Sequence, residues 1–146
     1  MIDKKFIETV LSKAVLEIEK GRLRFFAKAT GETNPIYTDE AAAKTAGYAS
    51  LPVPPTFIFA AELDANTLLP MMQEMNVNLG RILHGEQKFS YFAPICAGDT
   101  ITVESKISDI YDKKNGTLEF IVKDSIVTNQ RGKRVAEMRS VIVVRN

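Results

Sequence analysis

The segment that most constrains the fold of this chain is the apolar stretch of residues 53–69, VPPTFIFAAELDANTLL. Its two prolines, Pro54 and Pro55, suit the approach to a helix, because proline is tolerated in the first helical turn but not in the helix interior. Residues 56–61 are then apolar almost all round, which predicts a helix covered on most sides, here by a β-sheet. A membrane-spanning helix needs about 20 apolar residues, and this stretch is shorter. Taken alone, it fits an ordinary core helix of an α+β protein equally well.

The chain before this stretch predicts one strand and two short helices. Residues 14–19 alternate in a strand-like way, and residues 22–29 suit a helix packed on one side. Residues 30–35, TGETNP, are a dense turn signal. A second helix is expected after Asp39, with Asp39 as its N-cap or Glu40 in its first turn, and Gly47 as its stop.

The chain after residue 82 is dominated by a period of two, which predicts four strands. The first covers residues 83–92, and the second carries Ile101, Val103 and Ile107 on one face. Asn115 and Gly116 then give a strong hairpin signal before a third strand at residues 118–128, and the fourth covers residues 134–144. These four strands are expected to form an antiparallel meander.

A long antiparallel sheet preceded by one apolar helix buries that helix most simply by curling around it, which is the hot-dog arrangement. We therefore expect an α+β hot-dog fold in one domain of residues 1–146, with the sheet wrapped around one long apolar helix. The exposed sheet edge predicts pairing with a second copy or a related chain. The side chains of Phe57, Phe59, Met71, Met72 and Met75 either line a roomy, adaptable apolar tunnel or belong to the plain core.

Composition excludes several classes of function. The formal net charge of +1 and the lack of a long basic run predict no nucleic-acid or membrane partner. The first residues lack the continuous apolar core of a signal peptide, so a cytoplasmic location is expected. The only cysteine is Cys96 and the only histidine is His84, which argues against a disulfide and a metal site. Phosphate-binding glycine motifs are absent, so we expect no cofactor.

Residues 25–37, FFAKATGETNPIY, carry the strongest functional pattern. They resemble the signature of the MaoC-like (R)-specific enoyl-thioester hydratases and dehydratases, which runs Gly-Asp-x-Asn-Pro-x-His after an aromatic residue and a spacer. Further matches complete the resemblance to the N-terminal MaoC dehydratase type, and they lie at residues 47–48, 54–57, 84–87, 89, 91 and 94–99. The resemblance covers most of the chain and implies the hot-dog fold.

In that family an aspartate and a histidine act on the water that is added to, or removed from, a 2-enoyl thioester. Carried over by this resemblance, Glu32 takes the aspartate position, Asn34 the asparagine position and Tyr37 the histidine position, and these three are the candidate catalytic residues. Substrate binding is assigned to Pro55, Thr56, Phe57 and His84, with the amides around Thr56 and Phe57 as the site for the thioester carbonyl. The implied partner is an acyl thioester of coenzyme A or acyl carrier protein.

Both titrating positions differ from the family pattern, and the two differences are unequal. Glutamate keeps a carboxylate with a reference pKa of about 4.3 against about 3.9 for aspartate. Tyrosine has a reference pKa of about 10 against about 6.5 for histidine, so at neutral pH Tyr37 suits a hydrogen-bond donor better than a base.

Three hypotheses follow. In the first, the chain is a homodimeric dehydratase or hydratase with Glu32 as base and Tyr37 as donor. Alternatively, it is the acyl-binding subunit of a heterodimer whose related hot-dog chain carries the aspartate and histidine. The third is a hot-dog acyl-CoA thioesterase that uses a helix carboxylate, Glu62 or Asp64.

Each candidate residue also has a structural interpretation. Glu32, Asn34 and Tyr37 then form an inherited turn, with Asn34 bonding the backbone and Tyr37 at a dimer seam. His84 and Glu86 lie two residues apart on a predicted strand, so they are expected on one face, where they could pair. Glu62 and Asp64 are expected to be solvated or dimer-facing.

Overall fold

The computed structural model describes residues 1–146 as one antiparallel sheet with four α-helices. The strands are β1 (Ala14–Glu17), β2 (Ile82–Tyr91), β3 (Thr100–Lys113), β4 (Leu118–Asn129) and β5 (Arg134–Arg145). The helices are α1 (Lys20–Ala29), α2 (Glu40–Thr45), α3 (Phe57–Asp64) and α4 (Leu68–Glu74). Short 3₁₀ turns cover Lys4–Phe6, Pro35–Tyr37 and Leu79–Arg81. None of the helices has the length and hydrophobicity needed to cross a membrane.

The local signals in the sequence account for where several elements begin and end. The Asp39 carboxylate accepts a hydrogen bond of 2.9 Å from the Ala41 amide, which confirms Asp39 as the N-cap of α2. The β3–β4 hairpin turns at Asn115 and Gly116, whose φ angles are 52° and 81°. These two residue types tolerate the left-handed conformation, so the predicted hairpin is confirmed.

The strand order is β1-β3-β4-β5-β2. The predicted four-strand meander is therefore wrong for the first of its four strands, β2. Strands β3, β4 and β5 do form a meander, but β2 pairs with β5 and not with β3. The connection from β2 to β3 crosses the sheet, from the edge strand β2 to the position between β1 and β4. Its first amide, Phe92, donates to the Val135 carbonyl at 2.9 Å, and Gly98 donates to the Ile18 carbonyl, beyond β1, at 2.8 Å. A period of two identifies strands but does not identify their partners.

The apolar stretch packs on one face of the sheet, called the inner face below. It is divided into α3 and α4, because Asn66 adopts a φ of 52° directly after α3. Two apolar clusters result. The first joins α3 to β3, β4 and β5 through buried residues that include Phe57, Ile58, Ala61, Ile101, Val103, Val127, Ala136 and Met138. The second joins α4 to the same strands through Met71, Met72, Met75, Ile107, Ile110, Ile121, Ile142 and Val144. The three methionines are therefore buried core residues.

Candidate active site

The loop that carries the signature is held by its own polar side chains. One carboxylate oxygen of Glu32, Oε1, accepts hydrogen bonds from the amides of Thr33 at 3.0 Å and Asn34 at 3.1 Å. The Asn34 side chain accepts from the Ile36 amide at 3.2 Å and thereby caps the 3₁₀ turn that ends at Tyr37. Two of the three candidate catalytic residues therefore fix the loop, and the other carboxylate oxygen of Glu32 makes no hydrogen bond within the chain.

Tyr37 lies at a pocket of about 370 Å³, which we call the mouth pocket. Three tyrosines line it, together with apolar residues that follow α2 and β2. The lining consists of Tyr37, Tyr48, Pro52, Val53, Pro55, Tyr91, Phe92, Ala93, Pro94 and Ile95. The mouth pocket is thus an apolar opening whose polar groups are mainly phenol hydroxyls.

Partial burial and neighbouring groups hold the Tyr37 and Tyr91 phenols in their protonated form. Desolvation raises the pKa of Tyr37 above its ordinary value of 10.0, and the nearby Glu32 carboxylate and Tyr48 phenol raise it further. Desolvation and the neighbouring Tyr37 raise the pKa of Tyr91 to about 12. At neutral pH both side chains can donate a hydrogen bond, and neither is a base.

The start of α3 lies beside the mouth pocket through Pro55. The Thr56 amide, the first N–H after the two prolines, donates no hydrogen bond within the chain, and Thr56 is exposed. The Phe57 amide already donates to the Pro54 carbonyl at 2.9 Å. The Phe57 side chain is buried and meets Phe26 edge-on, with ring centroids 5.4 Å apart. Of the two predicted amides, only that of Thr56 is free for a ligand.

His84 lies outside the lining of the mouth pocket, on β2. Its ring packs against Phe59 of α3, with centroids 4.9 Å apart, and its Nε2 lies 3.1 Å from the Glu86 carbonyl. A β-bulge at Gly85 shifts the register, so that His84 pairs with Ile142 while Glu86 pairs with Val141. Adjacent residues of β5 point to opposite faces, so the expected same-face pair of His84 and Glu86 is wrong. The bulge requires glycine at this position, because the Cβ of any other residue would lie 2.7 Å from Val143 Cγ2.

Glu62 is buried rather than solvated, which corrects the expectation for this residue. Its Oε1 contacts Lys123 Nζ at 2.7 Å and accepts hydrogen bonds from the hydroxyls of Ser105 at 2.9 Å and Ser125 at 3.0 Å. Asp64 lies on the surface and pairs with Arg22. Neither carboxylate reaches the mouth pocket, so nothing in this geometry favours the thioesterase arrangement.

The polar layer around Glu62 crosses four strands on the inner face, and we call it the buried belt. It consists of Glu62, Gln87, Ser105, Lys123, Ser125 and Ser140. Strand register places it, since Ser105 pairs with Ser125 and Ser140 pairs with both Lys123 and Gln87. Sequence reasoning missed the belt. The available signal was polar residues at inner-face positions of β3, β4 and β5, where apolar ones are expected.

Sequence reasoning also gave no role to Tyr91, although it belongs to the matched pattern. On the inner face of β2 it follows Phe89 at the strand period of two, and their rings stack with centroids 6.0 Å apart. No group of three or more His, Cys, Asp or Glu side chains lies close enough together to hold a metal ion.

Comparison with known proteins identifies the family and the fold. The family model described as FAS1-like, dehydratase domain region, matches residues 5–138. A UPF0336 protein of Streptomyces avermitilis is 43% identical over 94 residues, which are 64% of this chain and 63% of that relative. The matched part thus spans less than two thirds of the length of that relative.

Two solved structures share the fold. The C-terminally truncated HadBC (3R-Hydroxyacyl-ACP Dehydratase) complex from Mycobacterium tuberculosis matches with a TM-score of 0.81 and 24% identity, covering 94% of this chain and 96% of that chain. A MaoC-like dehydratase matches with a TM-score of 0.85 and 22% identity, covering 97% of this chain and 42% of that one. The predicted α+β hot-dog fold and the predicted MaoC-like resemblance are both confirmed.

Proposed function

The chain belongs to the family described as FAS1-like, dehydratase domain region, and from that premise we propose that it is the acyl-binding subunit of a heterodimeric dehydratase. The reaction removes water from an (R)-3-hydroxyacyl thioester of coenzyme A or acyl carrier protein and gives the trans-2-enoyl thioester. A related hot-dog chain supplies the aspartate and histidine that move the protons. The observation that carries the proposal is Tyr37, which occupies the histidine position with a pKa raised above 10.0.

The residues of this chain contribute binding and orientation. The apolar walls of the mouth pocket contact the thioester, and the free Thr56 amide donates to its carbonyl oxygen. A fixed N–H directed at an oxygen that gains negative charge in the transition state lowers the barrier. The protonated Tyr37 phenol adds a second donor at the same opening.

A second function, hydration by this chain alone, is favoured by the position of Glu32. Its carboxylate lies close enough to raise the pKa of Tyr37, and only its Oε1 is used by the loop. Its other oxygen could then accept the proton while Tyr37 donates one. This site would hold a base and a donor without a histidine.

The experiment follows the absorbance of trans-2-butenoyl-CoA with the purified chain, alone and mixed with a related hot-dog chain that has an intact Asp-x-Asn-Pro-x-His. The acyl-binding role predicts activity only in the mixture, with Glu32→Gln retaining most of it. Hydration by this chain alone predicts activity without the mixture, and a loss of about 100-fold or more in Glu32→Gln and Tyr37→Phe.

A matched control is Tyr111→Phe, because Tyr111 stacks on Phe120 and does not line the mouth pocket. It should leave either activity unchanged. Silence of both the chain and the mixture would contradict both proposals.

A further inference from the structure

The inner face of the sheet carries the core, but the opposite face, called the outer face below, also has an apolar row. The row crosses four strands through residues that pair in register, and it consists of Tyr111, Phe120, Val143 and Leu83. Strand alternation directs these side chains away from the inner face, and neither inner-face cluster contains any of them. We call these four residues the outer row.

The outer row is continuous and reaches solvent. The Tyr111 and Phe120 rings stack with centroids 4.7 Å apart, Leu83 is 46% exposed, and the other members are partly exposed. Beside the row, Val122 pairs with Val141 and extends the apolar surface by one further line of residues. A contiguous apolar patch with a polar rim is typical of an interaction surface.

Charged residues border this surface, and its two borders have opposite signs. On the side of the β3–β4 hairpin, the border consists of Lys113 of β3 and Arg145 of β5. On the other side it consists of Asp109 of β3 and Glu86 of β2, which flank the two valines. All four residues are exposed, and none takes part in an ion pair within the chain. The outer face therefore presents two positive and two negative charges without partners.

The two borders match each other when a second copy is rotated by 180° about the direction of the outer row. This rotation reverses the strand direction but keeps each strand at the same place along the row. Lys113 and Asp109 lie on β3, two residues to either side of Tyr111, or about 6.6 Å at 3.3 Å per residue. The rotation therefore places each Lys113 opposite the partner's Asp109. It also places each Arg145 beside the partner's Glu86, because β5 and β2 are neighbouring strands.

We propose that two copies of this chain associate through their outer faces, with the outer rows in contact and the borders of opposite charge facing each other. A two-fold interface requires a self-complementary surface, and this arrangement of charges has that property. The two sheets stack with their strands nearly aligned, as sheets packed face to face commonly do. The lining of the mouth pocket contains none of these residues, so the inference does not rest on the proposed function.

The size of the surface sets the expected affinity. Four strands about 4.8 Å apart and three lines of residues about 6.6 Å apart cover roughly 400 Å² per copy. A total of about 800 Å² lies below the standard size of a stable interface, so we expect a weak, reversible association with a Kd of about 10 µM. Sedimentation velocity of the full chain, at concentrations from well below to well above this value, should show a mass that rises with concentration.

Charge variants test the arrangement, because they change exposed side chains and leave the core intact. Lys113→Asp and Asp109→Lys should each weaken the association about tenfold or more, since the symmetry repeats each unfavourable pair twice. The double variant should regain most of the native affinity. A mixture of the two single variants should also associate at least as tightly as the native chain, because its facing charges all have opposite signs. Lys28→Asp, on α1, is the matched control and should leave the Kd unchanged.

Phe120→Ser tests the apolar part of the surface separately. It removes a ring from the middle of the outer row and should abolish the association, whereas Phe25→Ser, at a residue of α1 that is 66% exposed, should retain it. Urea denaturation of each variant verifies that it is folded. A native chain whose mass does not change with concentration would overturn the inference. An association that both charge variants leave unchanged would also overturn it, because the contact would then lie on another face. Either result leaves the proposed function standing.

Discussion

The loop at the mouth pocket and the buried belt both contain a glutamate, but the protein satisfies the two carboxylates in different ways. Glu32 bonds amides one and two residues away. Glu62 bonds side chains that are 43 and 63 residues away, and its partners come from β3 and β4. The first arrangement is local and partly exposed, while the second is long-range and enclosed. Changes in the loop should therefore affect chemistry more than stability, and changes in the belt should do the reverse.

The largest expected effect is that of Lys123→Met. This change leaves the Glu62 carboxylate buried without its countercharge, and breaking a buried pair from one side typically costs about 3–5 kcal/mol. Urea denaturation should show this loss in the free energy of unfolding, with an unchanged slope against denaturant concentration.

Two controls define the cause of that loss. The double variant Glu62→Met with Lys123→Met should recover most of it, because replacing a whole buried pair by apolar residues is often neutral or stabilising. Lys106→Met breaks the pair with Glu8, whose side chains are 47% and 67% exposed, and should cost about 1 kcal/mol or less. If the Lys123→Met protein were as stable as the Lys106→Met protein, the buried ion pair would be worth no more than an exposed one, and the contrast between the belt and the surface would be wrong.

The second prediction concerns Gly85, whose bulge gives His84 and Glu86 opposite faces. In Gly85→Ala the new methyl would lie 2.7 Å from Val143 Cγ2 and 3.0 Å from the Val141 carbonyl oxygen. Such overpacking costs about 1–3 kcal/mol. Thermal or urea denaturation would measure it.

Gly21→Ala provides the matched control, because nothing lies within 4 Å of a Cβ at this position of α1. It should stabilise the protein by about 0.5–1 kcal/mol, since glycine is unfavourable in a helix. If Gly85→Ala were as benign as Gly21→Ala, β2 would tolerate a different register, and the placement of His84 against Phe59 would be wrong.

Much of the fold could be predicted from the sequence because its signals are local. The Asp39 cap and the turn at Asn115 and Gly116 depend on residues next to one another, and they lie as predicted. The partner of β2 and the burial of Glu62 depend on contacts between distant segments, which no local pattern encodes. The bulge at Gly85 lies between these cases, since an isolated glycine in a strand is a recognised signal for one.

The candidate site divides in the same way. The loop from Glu32 to Tyr37 could be identified as a candidate site because one short motif contains it. Tyr91 joins Tyr37 there only because β2 lies at the edge of the sheet, beside β5. The buried belt requires the complete strand register, so it could be recognised only in the structure.

The third prediction tests the local side of the comparison through Asn34→Ala. Loss of the cap on the Pro35–Tyr37 turn should cost about 1 kcal/mol of stability. Asn78→Ala removes an equivalent cap, since Asn78 accepts from the Gly80 amide at 2.9 Å, and should cost a similar amount. In the enoyl-CoA assay of the mixture, only Asn34→Ala should lower activity, because only that cap positions Tyr37. Equal activities in the two variants would mean that the loop does not contribute to the active site.

The smallest expected effect is a dependence of stability on alkaline pH, caused by the tyrosines of the mouth pocket. The pKa of Tyr91 is raised from 10.0 to about 12 in the folded protein, while the unfolded chain titrates near 10.0. Between these two values the unfolded chain releases a proton that the folded protein keeps, so stability falls as pH rises from about 10 to about 12. Below about pH 10 the Tyr91 phenol is neutral in both the folded and the unfolded protein, so it adds no pH dependence to the stability there.

Tyr91→Phe removes this titration, so the variant should lose less stability than the native chain between pH 10 and pH 12. Tyr111→Phe removes a hydroxyl on β3, away from the mouth pocket, and should lose stability as the native chain does. Urea denaturation at pH 9, 10 and 11 would compare the three proteins. A Tyr91→Phe protein with the pH dependence of the native chain would mean that water reaches the Tyr91 hydroxyl freely. The mouth pocket would then be an open surface, and its hydrated phenols would be no better hydrogen-bond donors to a ligand than other exposed polar groups.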